Sequence, residues 1–136
     1  MSTVLIVDDS KTSRFMLKRI LEANGYEVVG EAENGQDGYD KYCQLMPDFV
    51  TLDITMPIMD GIETLVKIKE FELLTYFIEN KGIALSREKI LNSVWNYDYF
   101  GDARTIDTHV KKLRSKMGNK GDLIKTVWGM GYKLEV

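Results

Sequence analysis

The stretch Leu52–Gly82, LDITMPIMDGIETLVKIKEFELLTYFIENKG, decides how the rest of the chain is read, because two sequence grammars meet inside one helical run. From Gly61 to Asn80 there is no Pro and no internal Gly, and Leu, Ile, Glu, Lys and Phe dominate, so propensity predicts an uninterrupted helix. At about 100° per residue, Ile62, Leu65, Val66 and Leu73 share one direction. Phe71, Leu74 and Ile78 lie opposite or to the side, with Phe77 between the groups. Either the helix is buried on both sides, or its first half covers one core and its second half another. The two explanations are compatible.

Outward from this stretch, the 136 residues are 44% hydrophobic and 29% charged, enough for one good core or two very small ones. Residues 1–70 carry seven Lys/Arg against thirteen Asp/Glu, and residues 71–136 carry eleven against eight. An acidic half is thus joined to a basic half, which suggests an ion-binding or signalling site in one and a polyanion surface in the other. The apolar run Val4–Val7 is far too short for a signal or membrane-spanning segment, so a soluble, cytoplasmic protein without membrane association is expected. Cys43 is the single cysteine; an intrachain disulfide is excluded, and packing on a helix is its expected role.

Before the junction, Thr3–Asp8 is an apolar run ending in acid, as in a strand buried on both faces of a parallel sheet. A helix follows over Lys11–Asn24, with Met16, Leu17, Ile20 and Leu21 as its apolar stripe and Gly25 as its stop. Tyr26–Glu31 predicts a second strand, Asn34 to about Met46 a second helix with Tyr39, Tyr42 and Cys43 on one side, and Asp48–Asp53 a third strand. The βαβαβα order implies right-handed crossovers and a parallel sheet. Asp8 and Asp9 then fall at the carboxyl end of the first strand and Asp53 at that of the third, the edge where such sheets bind ligands. Gathered carboxylates repel by roughly 4 kcal/mol per pair at ~4 Å and an effective dielectric near 20, so they call for a cation, and an all-oxygen set suits Mg²⁺.

VLIVDDS, EAENGQDG, LDITMP and MDG together resemble the receiver domain of two-component response regulators. The resemblance implies that Asp53 accepts a phosphoryl group from a histidine kinase, and that Asp9, Asp53 and the Thr55 carbonyl bind the metal, with Asp8 acting through water. It covers residues 1 to about 70, where receivers have five βα units and this chain leaves the pattern after three. The family's switch Thr/Ser and phosphate-binding Lys have no counterpart, and Lys67 and Lys69 lie on the helix. The incomplete receiver therefore carries the acids without the means of phospho-switching.

After the junction, Ile83–Leu85 is a short strand candidate, and Ser86 suits an N-cap for a helix over Arg87–Trp95. Residues 96–102, NYDYFGD, form an aromatic loop, either packed or presented to a protein partner. A third helix spans about Thr105–Met117, with Ile106, Val110, Leu113 and Met117 as its core stripe. Arg104, Thr108, Lys111, Lys112 and Ser115 point away from that stripe. Such a face suits a DNA major groove, with cations on phosphates and base edges; the plain alternative is a solvated helix face. His109, at the edge of the stripe and without a second His or a nearby Cys, is not a zinc site; a packing or phosphate contact is its expected role. Leu123–Val127 and Tyr132–Val136 alternate as two strands around the turn Trp128–Gly131, which completes a winged helix-turn-helix.

KEFELL, SREKILNSVW, YDYFGDARTIDTHVKKLRSKMG and IKTVWGMGY resemble the DNA-binding effector domain of OmpR/PhoB-type response regulators. The resemblance implies DNA contacts from Arg104, Thr105, His109, Lys111, Lys112 and Arg114, with Thr108 added from the helix face, and presentation of residues 96–102 to RNA polymerase. Where the family's wing has a cation, Trp128 stands, and the effector's amino-terminal antiparallel sheet is absent. The expected fold is α/β: half of a doubly wound receiver sheet (1–70), joined through a shared helix to a winged helix-turn-helix with a C-terminal hairpin (71–136).

The expected function is non-enzymatic: a DNA-binding transcriptional regulator with a truncated control domain. The alternative is a recombined or engineered hybrid fold without active DNA binding or regulation. The third strand is expected to be an uncovered edge, so either the terminal hairpin packs against the half-receiver or two chains pair as a homodimer.

Overall fold

In the computed structural model, which describes residues 1–95 and 102–136, the chain resolves into two compact units, Met1–Ile68 and Lys69–Val136. The first begins with β1 (Thr3–Val7), followed by α1 (Lys11–Ala23), β2 (Glu27–Ala32), α2 (Gly35–Leu45) and β3 (Phe49–Leu52). The strands form a parallel sheet of order β2-β1-β3, with Val4 opposite Phe49 and Val7 opposite Leu52. Val4, Leu5, Ile6 and Val7 are all buried, as a central strand covered on both faces requires.

Local chemistry sets the helix ends. Ser10 caps α1 by accepting from the Ser13 amide, Asn34 caps α2 by accepting from the Asp37 amide, and Gly25, at φ +86°, turns the chain out of α1. α2 lies close on β1, because a Cβ at Gly38 would stand 2.7 Å from Val7. The α1 stripe is corrected: Met16 and Ile20 are exposed along with Phe15, and only Leu17 and Leu21 are half-buried. A three-stranded sheet is too narrow to cover the whole apolar face of this helix.

α3 (Gly61–Glu79) is one continuous helix that crosses the boundary between the units. Its buried positions change along its length. In the first part they are Gly61, Thr64 and Ile68; in the second they are Leu73 and Phe77. At 100° per residue the two sets lie on roughly opposite sides. The buried face does turn, but on other residues than expected: Leu73, grouped by direction with Ile62, Leu65 and Val66, belongs with Phe77 to the second part, and Ile78, expected on the second face, is 56% exposed. Ile62, Leu65 and Val66 are exposed. Gly61 and Thr64 replace them because they fit tightly: a Cβ on Gly61 would meet the Asp53 carbonyl at 2.1 Å, and one on Gly35 would meet Thr64 Oγ1 at 2.1 Å. The Thr64 hydroxyl donates to the Asp60 carbonyl at 2.7 Å, so its burial leaves no unmet donor.

The second unit continues with β4 (Leu85–Ser86), α4 (Arg87–Val94), α5 (Thr105–Lys116), a 3-10 turn (Gly118–Leu123), β5 (Ile124–Val127) and β6 (Gly131–Leu134). These three strands form a second, antiparallel sheet of order β4-β6-β5. Leu73, Phe77, Leu85, Ile90, Leu91, Val94, Ile106, Val110, Leu113, Ile124, Tyr132 and Leu134 make its core. The hairpin contributes Ile124, Tyr132 and Leu134 to this core and pairs with β4. It is thus built into the core of the winged helix. No helix among the described residues is long and apolar enough to cross a membrane.

Candidate functional site

The parallel sheet delivers its acids to one place. β1 is followed directly by Asp8, whose amide donates to the Ala32 carbonyl, and β3 by Asp53, whose amide donates to the Val7 carbonyl. Each of Asp8, Asp9 and Asp53 offers a carboxylate oxygen, and these oxygens all lie within 4.8 Å of one another. At that spacing two full charges repel by roughly 3 kcal/mol at an effective dielectric near 20, and the donor set is oxygen only, the type preferred by a hard divalent cation. The loop that carries Asp53 is closed by the Gly61 amide, which donates to the Ile54 carbonyl at 2.8 Å. Asp60 caps α3 by accepting from the Glu63 amide at 2.9 Å. Thr55 lies exposed in this loop, two residues beyond Asp53.

The cluster has a neighbour that sequence reasoning missed. Arg14 Nη1 donates to the Asp8 carbonyl at 2.7 Å, while its Nε lies 3.4 Å from Glu31. Its position one turn into α1, just after the Ser10 cap, was the available signal. Lys67 and Lys69 are held elsewhere: Lys67 Nζ sits 5.6 Å from the centre of the Tyr39 ring, and Lys69 bonds Glu72 and the Val94 carbonyl.

In the second unit α5 buries Ile106, Val110 and Leu113 and leaves Arg104, Thr105, Thr108, Lys111 and Lys112 exposed. Arg104, at the helix start, binds Asp102 through Nη2 at 2.6 Å. This contact holds the Asp102 carboxyl at about 2. The helix is fixed to its surroundings through Asp107, which accepts from Arg87 at 3.0 Å and from the Tyr132 hydroxyl. These two donors, Tyr132 foremost, hold the Asp107 carboxyl below its usual range.

Two of the expected DNA-contacting residues sit apart from the open face. His109 is half-buried, with its ring 4.4 Å from that of Trp95; burial, and then Lys112, push its pKa down. Arg114 reaches the hairpin, donating to the Ile124 carbonyl at 2.7 and 3.1 Å and to Thr126 Oγ1 at 3.0 Å, with its guanidinium over the Tyr132 ring. At the hairpin tip Gly129 takes φ +77° and Trp128 is 91% exposed. Of residues 96–102, expected as an aromatic loop, only Asp102 belongs to the described residues.

Comparison with known proteins matches both halves. The family described as "Response regulator receiver domain" matches residues 4–83, and that described as "Transcriptional regulatory protein, C terminal" matches residues 62–134. Both claim residues 62–83, which include most of α3. The chain is 26% identical to the transcriptional regulatory protein SrrA of Staphylococcus aureus, in an alignment that spans 98% of this chain and 95% of SrrA. That alignment runs over 230 residues and this chain has only 136, so SrrA contains a large part with no counterpart here. Among solved structures, the CheX-CheY-BeF3-Mg complex of Borrelia burgdorferi is 42% identical, with a TM-score of 0.52, over 52% of this chain and 55% of that one. A RitR mutant shares the fold over 98% of this chain and 99% of its own, with a TM-score of 0.61 at 17% identity. The chain belongs to the response regulator receiver family and, through its second half, to the family of transcriptional regulatory protein C-terminal domains.

Proposed function

We propose that this chain is a DNA-binding transcriptional regulator whose effector half works while its control half is cut short. The observation that carries this is α5: a helix anchored on one side by Ile106, Val110 and Leu113 and presenting Arg104, Thr105, Thr108, Lys111 and Lys112 to solvent on the other. Lys and Arg on such a face neutralise phosphates, and the hydroxyls read base edges or pack on thymine methyls. Arg114 acts from behind, holding the hairpin against the recognition helix, and His109 acts through its packing on Trp95. The test is duplex DNA binding by fluorescence anisotropy across a salt series, with Lys111→Ala/Lys112→Ala for comparison. No binding by either protein at low salt would favour the recombined hybrid fold without DNA binding.

Residues 1–70 form the control segment in this proposal and residues 71–136 the effector. Asp8, Asp9, Asp53 and the Thr55 carbonyl would hold Mg²⁺, which neutralises charge on an incoming phosphoryl group. Asp53, at the mouth of the sheet, is then the acceptor for a histidine kinase. Arg14 orients the cluster by holding the Asp8 carbonyl. The missing βα units remove the switch that would carry the signal onward, so phosphorylation of Asp53 changes DNA affinity little. Acetyl phosphate with Mg²⁺, followed by intact mass, reads that step separately: a gain of one phosphoryl group, lost in Asp53→Asn, supports the acceptor role. RNA polymerase remains the partner proposed for residues 96–102.

A further inference from the structure

β3 is the edge of the parallel sheet. The Asp53 amide bonds the Val7 carbonyl, so the odd-numbered residues of this strand turn their backbone groups towards β1. In a parallel ladder the even-numbered ones, Val50 and Leu52, then turn theirs to the open side. Around that edge the apolar surface is unusually large. Phe49 is 54% exposed, and after the strand come Ile54 at 67%, Ile58 at 80%, Ile62 at 64%, Leu65 at 49% and Val66 at 46%. Ile58 even takes φ +70°, a left-handed backbone that β-branched residues rarely adopt.

We infer that this edge pairs with the same edge of a second copy of the chain, giving a two-fold dimer with a continuous sheet β2-β1-β3-β3-β1-β2. The inference goes beyond the proposed DNA binding and does not rest on it. The pairing is self-complementary. A two-fold axis normal to the sheet runs the two β3 strands antiparallel and sets Val50 opposite Leu52 of the partner subunit. Each of these residues exchanges its N–H and C=O with the other chain, so every backbone group turned to the open side is met. No charged residue lies within Phe49–Leu52 to oppose the approach.

Thr51 falls on the axis, facing its own copy at cross-strand distance. Its Oγ1 is buried and has no hydrogen-bond partner within one chain, and rotation about χ1 brings it to the other hydroxyl. The axis also leaves each face of the sheet on its own side, so the exposed residues of the two α3 helices are brought together beneath the joined strands.

The area fits a second copy. With about 200 Å² for a large apolar residue, the six exposed fractions amount to roughly 700 Å² per chain. A stable interface of standard size takes about 800 Å² per partner; Phe49, beside Tyr26, supplies its share from the sheet face opposite α3.

The test is mass in solution by sedimentation equilibrium from micromolar to hundred-micromolar chain, with hydrogen exchange at Val50 and Leu52. The parent is expected at twice 15.6 kDa, with both amides protected more strongly as concentration rises. Leu65→Lys/Val66→Lys puts charges on exposed helix positions that suit Lys, so the fold is kept, and it should raise the dissociation constant at least about a hundredfold. Val50→Pro removes an edge donor and no donor turned to β1, and should have the same effect. A parent that stays at 15.6 kDa throughout, or a dimer that survives the double Lys change with unaltered exchange at Val50 and Leu52, overturns the inference.

Discussion

Phe77 and Ile78 are neighbours on α3, and their predicted fates differ because the helix buries one and not the other. Phe77 is 0% exposed within the core of the second unit, whereas Ile78 is 56% exposed. Truncating Phe77 to Ala removes roughly 130 Å² of buried apolar surface, worth about 3 kcal/mol at 25 cal/mol per Å². The cavity left behind brings the loss to about 3–5 kcal/mol. A unit of this size holds only about 0.05–0.15 kcal/mol per residue, so Phe77→Ala should bring the winged helix close to unfolding. Ile78→Ala should lose less than about 1 kcal/mol. Urea denaturation read by the fluorescence of Trp95, which packs against this core, measures the difference in a Trp128→Phe background that silences the exposed tryptophan. Equal losses for the two variants, or a loss below about 1 kcal/mol for Phe77→Ala, would refute the claim that the second half of α3 serves the winged-helix core.

Further changes test the other joints. Gly61→Ala places a methyl 2.1 Å from the Asp53 carbonyl, so the backbone must shift; the expected loss is about 1–3 kcal/mol, together with weaker Mg²⁺ binding by calorimetry, and an unchanged Mg²⁺ affinity would separate the loop from the acids. Arg114→Met unpairs the Ile124 carbonyl and frees the hairpin, with an expected loss of about 2–3 kcal/mol in the same urea assay; a change below about 0.5 kcal/mol would contradict the anchoring role. His109 has a folded pKa lowered by burial, so the unfolded chain takes up the proton first. Its contribution is complete above the ordinary histidine pKa of about 6.5 and declines as pH falls towards the folded value. His109→Gln should therefore flatten the stability difference between pH 7 and pH 5, and an identical slope in parent and variant would count against this.

The parallel half was legible because its signals are local and redundant. Val4–Val7 is a short apolar run ending in acid, which fits a strand buried on both faces, and the acids that follow β1 and β3 come together once the sheet forms. What the sequence hid depends on what a helix is packed against. Met16 and Ile20 have the spacing of a core stripe, yet a three-stranded sheet does not reach far enough to cover them. Ile62, Leu65 and Val66 look like the core side of α3, but close approach to Asp53 and Gly35 selects Gly61 and Thr64, and hydrophobicity carries no record of that fit. The 3-10 turn was missed because it has no apolar period; it depends on Gly121, where a Cβ would meet the Arg114 carbonyl at 2.5 Å. On α5 the division into core and open faces was readable from spacing. The inward engagement of Arg114 was not, since it belongs by charge with the DNA-contacting cations and is placed by Ile124 and Thr126; for His109, at the edge of the stripe, packing was one of two readings, and Trp95 supplies it.

The central claim, that the open face of α5 still binds DNA in a chain with a shortened receiver, is tested most directly by fluorescence anisotropy on labelled duplex between about 50 and 200 mM salt. The parent should bind, with the logarithm of affinity falling linearly against the logarithm of salt. Lys111→Ala/Lys112→Ala should flatten that slope by roughly 0.9 for each lost phosphate contact, about 1.8 in all. A parent that binds with the same slope as the double variant, or that fails to bind at the lowest salt, would contradict the account.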